Sequence, residues 1–336
     1  MKLLIVTQKA DRKDPILGFF RRWIEEFAKH CEQVTVIAQS VGDHALPKNV
    51  RVLSLEKEKG RSRLSQILRF RTLIKEIEHS YDVVLVHMTP VWAVIGSGIW
   101  RRLGKRTFLW YEARGGGWAL RIAERCVGKI FSASAYGMPF QSTKHVVIGH
   151  GIDTEFFHPS AEPRDPHLLC SVGRVTRSKN LDLIARAFAE LPSAYRMEIA
   201  GGAIRVDDKH YQAELEKFAE QKNISGRFSM RNHNAENVRR LLQKAILFMH
   251  ASMTALDKAL LEAMACECPV LSSAEAARAV LPPECLTTPE AFAKRLKEML
   301  AMPESQRKKL GASLRDVIVT HHGLPQLIER LVAEMS

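Results

Sequence analysis

The sequence predicts an α/β protein of two doubly wound domains, each built on a parallel sheet, and three observations carry that prediction. Short runs rich in Val, Ile, Leu and Phe alternate with helix-length amphipathic segments from end to end. The runs are apolar throughout instead of alternating with polar residues, as strands covered on both faces must be. The chain is also long enough, at 336 residues, for two domains of ordinary size, and it carries one proline-rich, charged break near its middle.

Taken in order, the first half offers strands at KLLIVTQ (2–8), QVTVIAQ (33–39), VRVLSL (50–55), DVVLVHM (82–88), RTFLWY (106–111), KIFSAS (129–134) and HVVIG (145–149). The second half offers HLLCSVGRV (167–175), YRMEIAG (195–201), RFSM (227–230), AILFMHA (245–251) and PVLSS (269–273). Segments such as LGFFRRWIEEFAKH and NLDLIARAFAEL lie between them with helical periodicity. The stretch GIDTEFFHPSAEPRDP (151–166) has three prolines and no long apolar run, and reads as a linker. This gives a first domain over 1–150, a linker over 151–166 and a second domain over 167–322. A last helix, 323–336, is free to cross back to the first domain. Ligands are expected at the carboxyl ends of the strands and in the cleft between domains.

Composition narrows the function. The chain is 46% hydrophobic and 26% charged, a globular balance. No apolar run reaches the roughly 18–20 residues of a membrane span, and the N-terminal run is too short for a signal peptide. A cytoplasmic protein is therefore expected. The six cysteines are scattered without metal-ligand spacing and read as reduced thiols. Lys and Arg total 50 against 37 Asp and Glu, a formal net charge of +13, which calls for an anionic partner. Nucleic acid fits poorly, since there is no zinc pattern or aromatic recognition motif. RSRLSQILRFRTLIK (61–75), WRRLGKR (100–106) and the series Arg114, Arg121, Arg125 mix basic with apolar residues. They suit either a solvated helix face or a peripheral contact with an anionic membrane.

Three stretches of the second half have residue types that suit an anion. SVGRVTRSKNLDLIARAF (171–188) places Arg174 after a strand-ending glycine and Lys179 at a helix start, where free N–H groups face a ligand. IAGGA (199–203) ends a strand in Gly201 and Gly202, which permit either a turn or close approach to a ligand. In SMTALDKALLEAMACECPVLSS (252–273), Thr254 and Asp257 have capping-box spacing, predicting a helix from about Ala255 to Cys266. Its positive end and Lys258 favour phosphate. Glu262, about 6 Å further along the axis, is placed either to accept ribose hydroxyls or to pair with Lys258 at i,i+4.

The series VGRVTRSKNLDLIARAF, IAGG and LLEAMACECPVLSS, with DVVLVH and HGIDTEFF before it, resembles the retaining glycosyltransferases of family 4, the group 1 glycosyl transferases, which have the GT-B fold. The resemblance spans nearly the whole chain. It implies an α/β GT-B architecture of two Rossmann-like domains and transfer of a hexose, with retention, from a UDP- or GDP-sugar to a hydroxyl. It assigns Arg174 and Lys179 to the diphosphate and Glu262 to the ribose. It further assigns Arg231 and Asn232 to the base, Gly202 to close approach, and Gly18 to the loop near the phosphates. No metal or other cofactor is implied. The acceptor side would include His87, Glu112, Arg114 and His150, with His87 and Glu112 nearest to catalysis. A lipid-linked or other carbohydrate acceptor would suit the basic, apolar first domain.

The sequence departs from the family at two places. The family's paired glutamates, spaced E-x7-E, are here Thr254 and Glu262, and the glycine-rich segment between them is Ala-Leu-Asp-Lys. The contact to the sugar would then pass to Asp257 or Lys258. The histidine many members carry after the fifth strand is replaced within WYEARGGGW (110–118). Both departures leave open a nucleotide-sugar-binding module that supports a partner enzyme. A GT-B epimerase would need further carboxylates in the cleft.

Overall fold

The structure is a computed structural model, and it describes residues 1–14 and 17–336. Its contacts divide the chain into two compact units, Met1–Gly151 with Leu324–Ser336, and Ile152–Gly323.

Unit 1 contains β1 (Lys2–Ala10), α1 (Phe20–His30), β2 (Gln33–Val41), β3 (Val50–Ser54), α2 (Arg63–Glu76) and β4 (Val83–His87). It continues through α3 (Pro90–Arg102), β5 (Arg106–Trp110), α4 (Trp118–Cys126), β6 (Lys129–Ser132) and β7 (His145–Val147). Its seven strands are ordered β3-β2-β1-β4-β5-β6-β7, all in parallel register. The sheet is covered on both faces, and the strand interiors of β1 and β4 are fully buried. On one face α2, α3 and α4 bury Phe70, Trp92, Trp100 and Leu120 against Leu4, Val84 and Leu109.

Unit 2 contains β8 (Asp165–Val172), α5 (Leu181–Ala189), β9 (Arg196–Ala200), α6 (Val206–Gln221), β10 (Phe228–Arg231) and α7 (Ala235–Lys244). It continues through β11 (Ala245–His250), α8 (Lys258–Ala265), β12 (Val270–Ser272), α9 (Phe292–Leu300) and α10 (Glu304–His321). Its parallel strands are ordered β10-β9-β8-β11-β12. Strand order reverses between β8 and β11, the switch point where doubly wound sheets open a crevice at their carboxyl ends. The last helix, α11 (Leu324–Met335), packs against α1 in unit 1.

Each predicted strand is present. Among the described residues no helix is long and apolar enough to cross a membrane. Two expectations are corrected. The stretch 151–166 is tied into unit 2 from Ile152 on: the Ile152 N–H donates to His322 O at 2.8 Å, and Phe157 is buried. Arg164 donates to the carbonyls of Leu242 at 2.7 Å and of Cys266 at 2.6 Å, so proline content here marks a packed turn and not a free tether. The helix expected from Ala255 begins at Lys258, with Asp257 as its N-cap residue. The Thr254 hydroxyl is engaged with Ser252 at 2.8 Å and no capping box forms.

Candidate functional site

The carboxyl ends of β8, β9 and β10 are drawn together by backbone bonds. Gly173 N–H donates to Ala200 O at 3.1 Å, Val175 N–H to Gly202 O at 3.1 Å, and Gly201 N–H to Arg231 O at 2.7 Å. Gly173 has φ +142°, a conformation open mainly to glycine, and it ends β8. A Cβ on Gly201 would lie 1.9 Å from Gly173 O, and one on Gly202 would lie 2.5 Å from the Asn232 side chain. The two glycines are therefore demanded by strand-end packing, and they set Asn232 beside Gly202.

Past Gly173 the chain makes a short turn, Arg177–Lys179, before α5. Lys179 precedes the helix, and does not open it as the periodicity predicts. Asn180 intervenes in the left-handed region at φ +51°. Arg174 is exposed, as is Arg231 at the end of β10. The Lys179 ammonium is held by the carboxylate of Asp257, 78 residues away in the chain. Their side chains are only 16% and 11% exposed, so this is a nearly buried ion pair.

Asp257 has a second partner. Its Oδ2 lies 3.3 Å from His250 Nε2, and His250 Nδ1 lies 2.9 Å from the Ser272 hydroxyl. Burial alone would push the Asp257 carboxyl up, but Lys179 and His250 outweigh it and hold it well below the usual carboxylate range. This explains the missing cap: the Asp257 carboxylate faces Lys179 and His250, and makes no side-chain cap bond to the α8 N–H groups. His250 and Ser272 escape sequence reasoning because a histidine or serine ending a core strand reads as a packed residue. The one available signal is that His250 ends its strand immediately before the loop that carries Asp257.

One turn into α8, Lys258 and Glu262 form the i,i+4 pair, and Lys258 also lies 5.5 Å above the Phe157 ring. The pairing anticipated as a solvated-face alternative is thus the one observed, although Glu262 is buried at 9% exposure. The structure brings Lys179, Asp257, Lys258 and Glu262 together around the start of α8, and Gly202 with Asn232 at the neighbouring strand ends.

The first-domain candidates behave differently. His87 is corrected to a core histidine. Its ring stacks on Phe20 at 3.9 Å, and its Nδ1 lies 3.2 Å from the Thr7 hydroxyl. Burial pushes its pKa down to about 3, which leaves it neutral. His150 is also buried, edge-on to Trp23 and Trp110, and its Nδ1 accepts the Gly151 N–H at 3.0 Å. Glu112 accepts from Ala133 N–H at 2.6 Å, Ser134 N–H at 3.3 Å and the Ser134 hydroxyl at 3.1 Å. The carboxylate ties the loop after β5 to the loop after β6. Arg114 is exposed and lies 5.3 Å over the Tyr136 ring. Gly18 sits in a tight turn before α1, where a Cβ would meet Asp14 O at 2.6 Å.

Residues 153–315 match the family described as Glycosyl transferases group 1. Solved structures with the same fold include HepE of Anabaena in complex with UDP and glucose, with 16% identity, 99% of both chains covered and a TM-score of 0.78. Sucrose-phosphate synthase from Thermosynechococcus elongatus matches at 16% identity and TM-score 0.82, covering 99% of this chain and 98% of that one. WaaG, a glycosyltransferase involved in lipopolysaccharide biosynthesis, matches at 16% identity and TM-score 0.72 over 99% of both chains. At these identities the likeness establishes the GT-B fold. No curated protein sequence matches the chain.

Proposed function

We propose that this chain, whose residues 153–315 match the family of glycosyl transferases group 1, is a glycosyltransferase that moves a hexose from a UDP- or GDP-sugar to a hydroxyl without a metal ion. The observation that carries the reading is the set of cations at the switch point of unit 2. Arg174, Lys179 and Lys258 are set around the carboxyl end of β8 and the start of α8, where the helix dipole also favours an anion. That set suits a diphosphate. Glu262, one turn along, would accept the ribose hydroxyls, and Asn232 with Arg231 would hold the base. The complex of HepE with UDP and glucose, on the same fold, supports a uridine donor.

In the reaction the bond from the anomeric carbon to the leaving phosphate breaks as the acceptor oxygen bonds to the same face. The acceptor proton passes to the leaving diphosphate. Arg174 and Lys179 offset the charge that builds there, which is the electrostatic part of the catalysis. A lipid-linked or polysaccharide acceptor is supported by unit 1. There α2 exposes Leu64 and Leu68 among Arg61, Arg63 and Arg71, and α4 exposes Trp118 and Ile122 among Arg121 and Arg125. That mixture suits the inner face of an anionic membrane.

A second reading, a nucleotide-sugar-binding module with weak turnover, is favoured by Thr254 standing where the family has its first glutamate. Single-turnover assays with bound donor separate the two.

The direct test is thermal melting against UDP, GDP and ADP in EDTA. A ligand that binds only the folded state raises Tm. One diphosphate should do so without metal, and Arg174→Ala should reduce the shift more for UDP than for UMP. No shift with any of them would refute the donor site.

A further inference from the structure

Two consecutive side chains at the start of α8, Asp257 and Lys258, each occupy a residue that the donor reading needs. Asp257 holds the Lys179 ammonium, and Lys258 holds the Glu262 carboxylate. The second pair is local to one helix. The first joins two loops and reaches back through His250 to Ser272 on β12. We propose that Asp257 is an internal counterion which a nucleoside diphosphate displaces from Lys179, and that His250 takes up a proton as this happens. The inference rests on the donor-site reading.

The argument is one of charge balance. Without ligand, one nearly buried carboxylate offsets one nearly buried ammonium, and the His250 ring bridges Asp257 to Ser272. When a diphosphate draws the Lys179 ammonium to itself, Asp257 keeps only His250 at 3.3 Å and gains an anion as a neighbour. An uncompensated buried carboxylate is strongly disfavoured. A proton on His250 restores the pairing: Nε2–H donates to Asp257 while Nδ1–H donates to the Ser272 oxygen, which accepts as readily as it donates.

The surroundings of His250 leave this the available compensation. On its own strand it faces the Phe248 ring at 6.1 Å. The adjoining β8 brings the uncharged Ser171, Val172 and Gly173 to this end, and β12 brings Ser272. From α8 come Asp257, with Lys179 behind it, and the Lys258–Glu262 pair, which balances itself. The helix α7 leads into the opposite end of β11.

The test is titration calorimetry of the full chain with UDP and GDP at pH 7.5, in two buffers of different ionisation enthalpy. At this pH the terminal phosphate is largely ionised, since its second pKa is about 6. Wild-type binding should take up protons, to a limit of about one, and affinity should rise by up to about tenfold per unit fall in pH. Asp257→Asn should abolish the uptake and bind UDP several-fold more tightly, because the ammonium is no longer contested. His250→Gln should also abolish the uptake but bind more weakly. Buffer-independent heat in the wild type overturns the proposal without recourse to any variant, and so does an Asp257→Asn protein with wild-type affinity. If neither diphosphate binds wild type or Asp257→Asn, the donor-site reading fails first and takes this proposal with it.

Discussion

The two sheets place a histidine at equivalent points and use it in opposite ways. Each sheet reverses strand order beside its first strand, and the strand across the switch ends in a histidine, His87 on β4 and His250 on β11. Each ring turns Nδ1 to a hydroxyl on a neighbouring strand, Thr7 at 3.2 Å and Ser272 at 2.9 Å. Beyond that bond the surroundings diverge. His87 is stacked on Phe20 with Trp23 nearby, and is sealed in as a neutral ring. His250 faces a carboxylate that faces an ammonium. The fold supplies the position, and the next shell of side chains decides whether the position is inert or charged.

The largest effect should come from removing the ammonium at the charged end. Lys179→Met leaves Asp257 nearly buried with only His250, and should lower the stability of unit 2 by about 3 kcal/mol. Adding Asp257→Asn should recover most of that. If the double variant melts no higher than the single one, the lysine stem and not the ion pair carries the stability. The pH dependence has a definite sign. Asp257 is depressed in the folded chain, so its contribution is present above the ordinary carboxylate value of 3.8 and is lost as pH falls below it. In Lys179→Met burial is opposed by His250 alone, the folded carboxyl moves up, and that acid-side loss should shrink.

A smaller effect is expected at the inert end. Folded His87 stays neutral down to about pH 3, while the unfolded chain protonates near the ordinary value of 6.5. Unfolding is then favoured by acid between those values, by up to about 1.4 kcal/mol per pH unit. His87→Leu should flatten that slope in acid melting curves, whatever it costs at neutral pH. An unchanged slope would mean that the ring is not sealed. The smallest effect is at Glu112. Glu112→Gln keeps one oxygen for the Ala133 and Ser134 N–H groups and turns its N–H to the Ser134 hydroxyl, losing only the charge assistance, and should lower stability by about 1 kcal/mol in melting curves. A larger loss of turnover than of stability would place Glu112 in the chemistry.

The strands were legible because a parallel strand covered on both faces has to be apolar along its length, as AILFMH over β11 is. The glycines at 173, 201 and 202 were legible as strand-end residues for the same local reason. The start of α8 was misread because capping-box spacing is a local signal, and it lost to a contact made across 78 residues of chain. His87 and His250 each end an apolar strand, so nothing within either strand separates the sealed ring from the one that faces an ion pair. The separation is made by Phe20 and Trp23 in one unit and by Lys179 in the other, none of them adjacent in sequence.

The helix α11 closes unit 1 with Leu327, Ile328, Leu331 and Met335, all buried, after the chain has passed through the whole of unit 2. During synthesis the α1 side of the first sheet must therefore wait for the 172 residues from Ile152 to Gly323 to be made. At about 5–20 residues per second, that is an interval of roughly 10–35 s. The partner surface of α11 on α1 stays open to solvent and to chaperones for that time. Unit 2, contiguous in the chain, is complete before unit 1 is, and the half of the molecule begun first is the last to be finished.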